Sequence, residues 1–111
     1  MVTASSPRRF DVVLVRLDPT VGHETGKTRP CVDVSPDELN AHLWTLLVAP
    51  LTSATKRYPM RVDCRFDGKP GQVELDQVRA IDRKRVAKRV GTLDPRTGTR
   101  ILQVLQELFA P

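Results

Sequence analysis

The sequence predicts a mainly β protein with a C-terminal α-helix, folded as a small antiparallel β-barrel. Three observations carry this reading. Short runs rich in β-branched residues are separated by Gly, Pro and polar clusters. One segment alternates apolar and charged residues with a period of two, and only the last stretch repeats its apolar residues at helical spacing. Several short strands followed by a terminal helix fit a barrel better than a parallel α/β sheet.

The elements follow in chain order. Phe10 to Leu17 is apolar at nearly every position, as expected of a strand covered on both sides, and it ends at Asp18-Pro19. Thr20 to Thr28 carries two glycines and many polar groups, so it is expected as an exposed loop leading to a strand from Arg29 to Val34. Ser35 is expected to cap a short helical turn with Pro36 at its first position. Leu43 to Ala49 is a further strand, which Pro50 should stop. Met60, Val62, Cys64 and Phe66 then alternate with Arg61, Asp63, Arg65 and Asp67, giving one core face and one wet face. A turn over Gly68 to Gly71 should join this strand to Gln72 to Leu75 as a hairpin. Val78 falls out of phase with Val73 and Leu75, which predicts a break or bulge near Asp76-Gln77. A short strand from Val86 to Val90 ends at Gly91. Asp94 and Pro95 then open a helix whose apolar face is Ile101, Leu102, Leu105, Leu108 and Phe109.

A chain of 111 residues suits one domain, expected over 10–111 behind a flexible tail at 1–9. With 40% hydrophobic and 28% charged residues it should fold. No apolar run approaches the ~18 residues of a membrane span, and the start does not resemble a secretory signal, so a cytoplasmic protein without membrane contact is expected. In that reducing compartment Cys31 and Cys64 read as buried thiols rather than a disulfide. With His23 and His42 they show no metal-ligand spacing, and neither metal nor cofactor is expected. The net charge is +5, and eight of the eighteen Lys and Arg residues lie between Arg79 and Arg100, opposed there only by Asp82 and Asp94. Such a block attracts a polyanion, although a solvated basic surface or an acidic protein partner satisfies the same charges.

Three pieces can meet in one groove at one end of the barrel: the loop His23-Glu24, the strand start Thr28-Arg29-Pro30 and the strand end Pro50-Leu51-Thr52-Ser53. Together with Leu17-Asp18-Pro19-Thr20-Val21-Gly22, Gly26-Lys27, Val34-Ser35-Pro36, Tyr58-Pro59 and Leu75-Asp76-Gln77-Val78-Arg79, they resemble the MazF/PemK toxins. The resemblance runs in family order from Phe10 nearly to the end of the chain. Several linked motifs are far more specific than Arg-Pro or Thr-Ser alone.

The resemblance implies an SH3-like barrel shared with CcdB-like toxins. It implies cleavage of single-stranded RNA (mRNA, with tRNA or rRNA also open) by an endoribonuclease toxin, leaving a cyclic phosphate and a 5′-hydroxyl. It further implies a homodimer and a cognate antitoxin with an acidic C-terminal segment. Metal is not required for such chemistry, because RNA supplies the 2′-hydroxyl nucleophile. Arg29 matches the catalytic arginine, whose planar fork suits a phosphate gaining charge. Thr52 matches the catalytic threonine, suited to binding phosphate or relaying a proton. Glu24 matches a glutamate linked to activity and stands as a candidate base or as the group that orients Arg29. RNA-binding positions are expected at His23, Lys27, Thr28, Ser53, Lys56, Gln77 and Arg79, with a turn-capping role equally open for Ser53 and a buried amide open for Gln77. Phe10 replaces a glycine common in the family, and Asp33 interrupts a strand usually apolar, so it should face solvent or find a partner such as an arginine. Two other readings remain: a CcdB-like gyrase inhibitor and a non-catalytic nucleic-acid-binding barrel. The inhibitors use a C-terminal tryptophan, whereas here Trp44 lies in a predicted strand, where a core or interface role is expected. Only 5% of residues are aromatic, few for a stacking platform.

Overall fold

The computed structural model describes residues 6–111. Seven strands, β1 (Asp11–Arg16), β2 (Thr28–Asp33), β3 (Thr45–Thr52), β4 (Arg61–Phe66), β5 (Lys69–Glu74), β6 (Arg79–Asp82) and β7 (Val86–Thr92), accompany helices α1 (Asp37–His42) and α2 (Pro95–Phe109). Every strand pairing is antiparallel, in the order β4-β5-β3-β2-β1-β7 with β6 also on β3. No ladder closes the sheet, but it curls until its end strands face each other: a methyl group at Gly91 of β7 would lie 2.8 Å from the Phe66 ring of β4.

β3 belongs to two sheets. One edge holds β2; the other holds β6 along Thr45–Val48 and then β5 at Leu51 and Thr52. Pro50 therefore does not stop the strand as expected. It falls between the two partners, where a residue without an N–H costs no ladder bond. β1 is covered on both sides as predicted: Val12 joins a larger core beneath α2, while Val13 and Val15 join a smaller one with Leu17, Cys31, Leu46, Val48 and Ile81.

Helix α2 begins as its sequence requires, with the Asp94 carboxylate accepting from the Thr97 N–H and Pro95 in the first turn. Ile101 and Val104 are fully buried against the sheet, each contributing about 1.5–3 kcal/mol by leaving water. The β4–β5 hairpin is also as predicted, but its turn is tighter. Asp67 and Gly68 both take left-handed backbone (φ 55 and 72), the two-residue turn that suits the strand twist. Pro70 and Gly71, expected in the turn, lie inside β5. The break near Asp76 is a 3₁₀ turn, Leu75–Gln77, rather than a bulge. β6, four residues with charges at both ends, was not expected, and β7 runs past Gly91 to Thr92.

Trp44 is 66% exposed just before β3 rather than within it, which removes a core role and leaves the interface role of the expectation. α1 starts at Asp37, and Pro36 rather than Ser35 occupies the cap position, without a side-chain cap bond. Of the expected tail, residues 1–5 lie outside the described residues, while Arg8 and Arg9 are tied to the domain through Asp37 and the Val34 carbonyl. Phe10 adopts φ 75, a conformation that costs an L-residue about 1–2 kcal/mol and explains a glycine at that place. Its ring is kept by packing on Gly98, where a methyl group would come within 2.5 Å of it.

Asp33 neither faces solvent nor meets an arginine. It is fully buried, and its carboxylate accepts from the Ser35 N–H (2.9 Å), the Ser35 hydroxyl (2.7 Å) and the Asn40 amide (2.6 Å). This explains why the Ser35 side chain is not free to cap α1. Burial pushes the Asp33 carboxyl up to about 6, against the hydrogen bonds from Ser35 and Asn40. A folded pKa above the ordinary 3.8 means that the folded chain holds this proton more tightly. Its stabilising contribution is therefore complete below about pH 4 and is lost as pH rises through about 6. Asp33→Ala is expected to cost about 2–4 kcal/mol at pH 5, because it strands buried donors. Urea midpoints should show the gap between wild type and variant narrowing by pH 7.5; a gap that widens with pH would contradict this account.

Candidate functional site

Arg29 is the second residue of β2 and Thr52 the last of β3. The two strands pair in the register that sets Cys31 opposite Pro50. Toward this end of the sheet that pair is the last of the ladder: Arg29 lies two residues before Cys31 and in phase with it on β2, while Thr52 lies two residues after Pro50, where β3 pairs with Gln72 of β5. Arg79 of β6 is opposite Val48, which belongs with Cys31 to the smaller core.

Cys31 is fully buried. Burial pushes its thiol up to about 12, the Glu74 carboxylate adds to the rise, and the Arg79 and Arg29 guanidiniums oppose it. Arg29 is half-buried and donates through Nε to the Gly26 carbonyl at 3.2 Å. Among the described residues it makes no ion pair. Glu74 and Asp76 are engaged by Arg61, at 3.2 Å and 2.8 Å.

Thr52 is half-buried, and its hydroxyl oxygen accepts from the Ala54 N–H at 3.2 Å, which leaves the hydroxyl proton to donate. β5 approaches it so closely that a methyl group at Gly71 would lie 2.6 Å from the Thr52 carbonyl. A cavity of about 210 Å³ has Pro30, Thr52 and Ser53 in its wall. Glu24, Gln77 and Arg79 line a separate cleft of about 450 Å³ with Thr25, Pro50 and Asp76. Glu24 accepts the Val21 N–H within its own loop at 2.6 Å, and Gln77 accepts the Thr25 N–H at 3.2 Å. Lys56 lines an open concavity of about 820 Å³ with Arg57, Arg65 and Gln72. His23, Lys27 and Thr28 are exposed on the β1–β2 loop and strand start and line none of these cavities. Among the described residues no group of three or more His, Cys, Asp or Glu side chains could hold a metal ion.

Sequence reasoning did not select Gln72, Glu74 or Arg61. Gln72 and Glu74 alternate with Val73 and Leu75, which reads as an outward, wet face, yet both are buried. The pattern holds no sign that two loops fold over them. Arg61 likewise falls on the expected wet face of β4, but its side chain is only 10% exposed beneath its carboxylate partners.

Thr52 with Ser53, Glu24 with Gln77 and Arg79, and Lys56 thus stand in three separate hollows, and Arg29 lines none of the three. The whole barrel matches one family model, described as PemK-like, MazF-like toxin of type II toxin-antitoxin system, over residues 8–109. The chain belongs to that family. It is 35% identical over 96 residues to the endoribonuclease toxin MazF of Escherichia coli (strain K12), with 86% of each chain covered. Among solved structures, MazF from Deinococcus radiodurans is similar with a TM-score of 0.83 and 28% identity, covering 93% of this chain and 96% of that one. A MazE–MazF structure from the same organism gives 0.77 and 27% identity, with 93% and 95% covered.

The burial around Cys31 has a direct chemical consequence. A fully buried thiol at about 12, and Cys64 pushed up to about 11 by its own burial, should both resist disulfide-exchange reagents at pH 8 in the native protein. Both should label after urea unfolding. Rapid native labelling of Cys31 would contradict its burial.

Proposed function

We propose that this chain is an endoribonuclease toxin of a type II toxin-antitoxin system that cuts single-stranded RNA at short sequence motifs and so halts translation and growth. The observation that carries the reading is an Arg29 that makes no ion pair among the described residues, on the strand that runs beside the one ending at Thr52. Membership of the toxin family and the endoribonuclease named in its Escherichia coli relative support it.

In the proposed reaction the substrate 2′-hydroxyl attacks its own phosphorus. Arg29 holds the non-bridging oxygens and meets the negative charge that grows on the phosphorane. Thr52 donates a hydrogen bond from its hydroxyl to the same phosphate, the P–O5′ bond breaks as the cyclic phosphate closes, and the leaving 5′-oxygen takes a proton from solvent. Glu24 takes the proton of the attacking hydroxyl, its carboxylate oriented by the Val21 N–H, and Gln77 and Arg79 line the cleft through which the strand leaves. Ser53 and Lys56 contact the strand on the other side, and His23, Lys27 and Thr28 contact it from the exposed loop. The products are a cyclic phosphate and a 5′-hydroxyl, and the steps need no metal.

The protein is proposed to act in the cytoplasm as a homodimer, and no helix of the described residues is long and apolar enough to cross a membrane. A cognate antitoxin is proposed to lay an acidic segment over the basic groove, as coupled folding onto a charged surface allows; a MazE–MazF structure exists for a relative.

Purified protein should cleave single-stranded RNA in EDTA and leave 5′-hydroxyl ends. Arg29→Ala should lower the rate by roughly 10²–10³ without lowering the melting temperature. Absence of cleavage by the folded wild type, or an unaffected Arg29→Ala, would overturn the proposal in favour of a binding-only toxin. Glu24→Gln keeps an acceptor for the Val21 N–H but cannot take a proton. A loss of about 100-fold or more is expected from general-base catalysis, whereas near-wild-type activity would restrict Glu24 to holding its loop.

A further inference from the structure

β5 presents two buried polar side chains that the proposed reaction does not use. Gln72 and Glu74, 6% and 7% exposed, flank the core residue Val73 and point to the opposite face of the sheet. Gln72 is the register partner of Thr52 on one side and of Asp63 on the other, and Glu74 is the partner of Arg61. Both side chains therefore lie in the cross-strand rows beside Thr52.

Their hydrogen bonds reach out to the loops. The Gln72 carbonyl oxygen accepts from the Lys56 N–H at 2.9 Å, and its amide donates to the Lys56 carbonyl at 2.9 Å and to Asp63 at 3.1 Å. This side chain engages the backbone of Lys56 as a neighbouring strand would. It does so in the middle of the irregular segment between Ser53 and Met60, which is otherwise bonded near its ends, from Ala54 to Thr52, from Arg61 to Tyr58 and from Leu75 to Met60. Glu74 accepts from the Thr25 hydroxyl at 3.1 Å with one oxygen and faces Arg61 with the other. The Thr25 N–H is bound in turn by Gln77. One strand thus tethers both the β1–β2 loop and the segment after Thr52.

We infer that Gln72 and Glu74 are positioning residues that hold the segment after Thr52 and the β1–β2 loop, the two stretches that carry Lys56 and Glu24 of the proposed RNA site. The inference rests on the RNA-cleaving reading proposed above. Arg29 and Thr52 stand on strands and stay in place when either stretch loosens, whereas an untethered stretch must be ordered each time substrate binds. Loss of the Gln72 tether should therefore weaken binding and leave the chemical step intact.

The test uses Gln72→Met, which fills the same space without polar atoms, and Gln72→Asn, whose shortened amide cannot reach Lys56. Native proteolysis with trypsin, followed by mass spectrometry, reads cleavage after Lys56 and Arg57 independently of activity. Cleavage there should accelerate at least tenfold in both variants, and KM for a single-stranded RNA should rise about tenfold with kcat within threefold. Glu74→Gln, which keeps an acceptor for Thr25 and loses the charge facing Arg61, should raise KM less than Gln72→Met does. Unchanged proteolysis, or a loss of kcat at constant KM, would overturn the inference. If wild-type protein cleaves no RNA while Gln72→Met still exposes Lys56 to trypsin, the activity reading fails and the tether stands.

Discussion

The pairing of β2 with β3, with Cys31 opposite Pro50, is the constraint on which the site depends. A slip of one residue would turn one of the two strands over and drive Cys31 or Val48 out of the smaller core. Burial therefore fixes the register, which brings the strand that carries Arg29 beside the strand that ends at Thr52. β3 can serve this purpose because it changes partners partway along its length. Its first half is locked by β6 and its last two residues by β5, so Thr52 stands at the junction of two sheets.

Charge is arranged with the same economy. Arg61 engages both Glu74 and Asp76. Tyr58 covers this cluster, its ring centroid 5.1 Å from the Arg61 guanidinium carbon, which adds a cation–π contact. Several arginines of the basic block bond to backbone carbonyls: Arg79 to Leu17, Arg83 to Leu43, and Arg85 to Arg16, Leu17 and Asp18. Such bonds satisfy donors without cancelling charge, so the surface remains positive while its arginines hold the chain in place.

The parts of the fold legible in the sequence are those where periodicity and burial agree. β1 shows it by being apolar on both phases, β4 by strict alternation, and α2 by its cap and by Ile101 of its apolar stripe, although Phe109 of that stripe is exposed and the buried Val104 was not in it. Elements defined by their neighbours were not legible. β6 is Arg-Ala-Ile-Asp, too short and polar to show a pattern, and exists because Leu46 and Leu47 offer it a ladder edge. Pro50 looked like a stop because the change of partner on β3 has no local sign. Asp33 looked costly because Ser35 and Asn40, two and seven residues on, are recognised as donors only once α1 is folded. The same limit applied to the site. Arg29 and Thr52 stood out through motifs, while Gln72 and Glu74 were hidden because alternation identifies a face and says nothing of the loops that cover it.

The account rests on a phosphodiester lying between Arg29 and Thr52. A crystal structure of the protein with a single-stranded RNA whose cleavage-site ribose lacks the 2′-hydroxyl tests this most directly. The account predicts that phosphate within hydrogen-bond distance of both the Arg29 guanidinium and the Thr52 hydroxyl. A strand bound elsewhere, for instance across exposed Trp44 and Lys84 at the far end of β3, would contradict it.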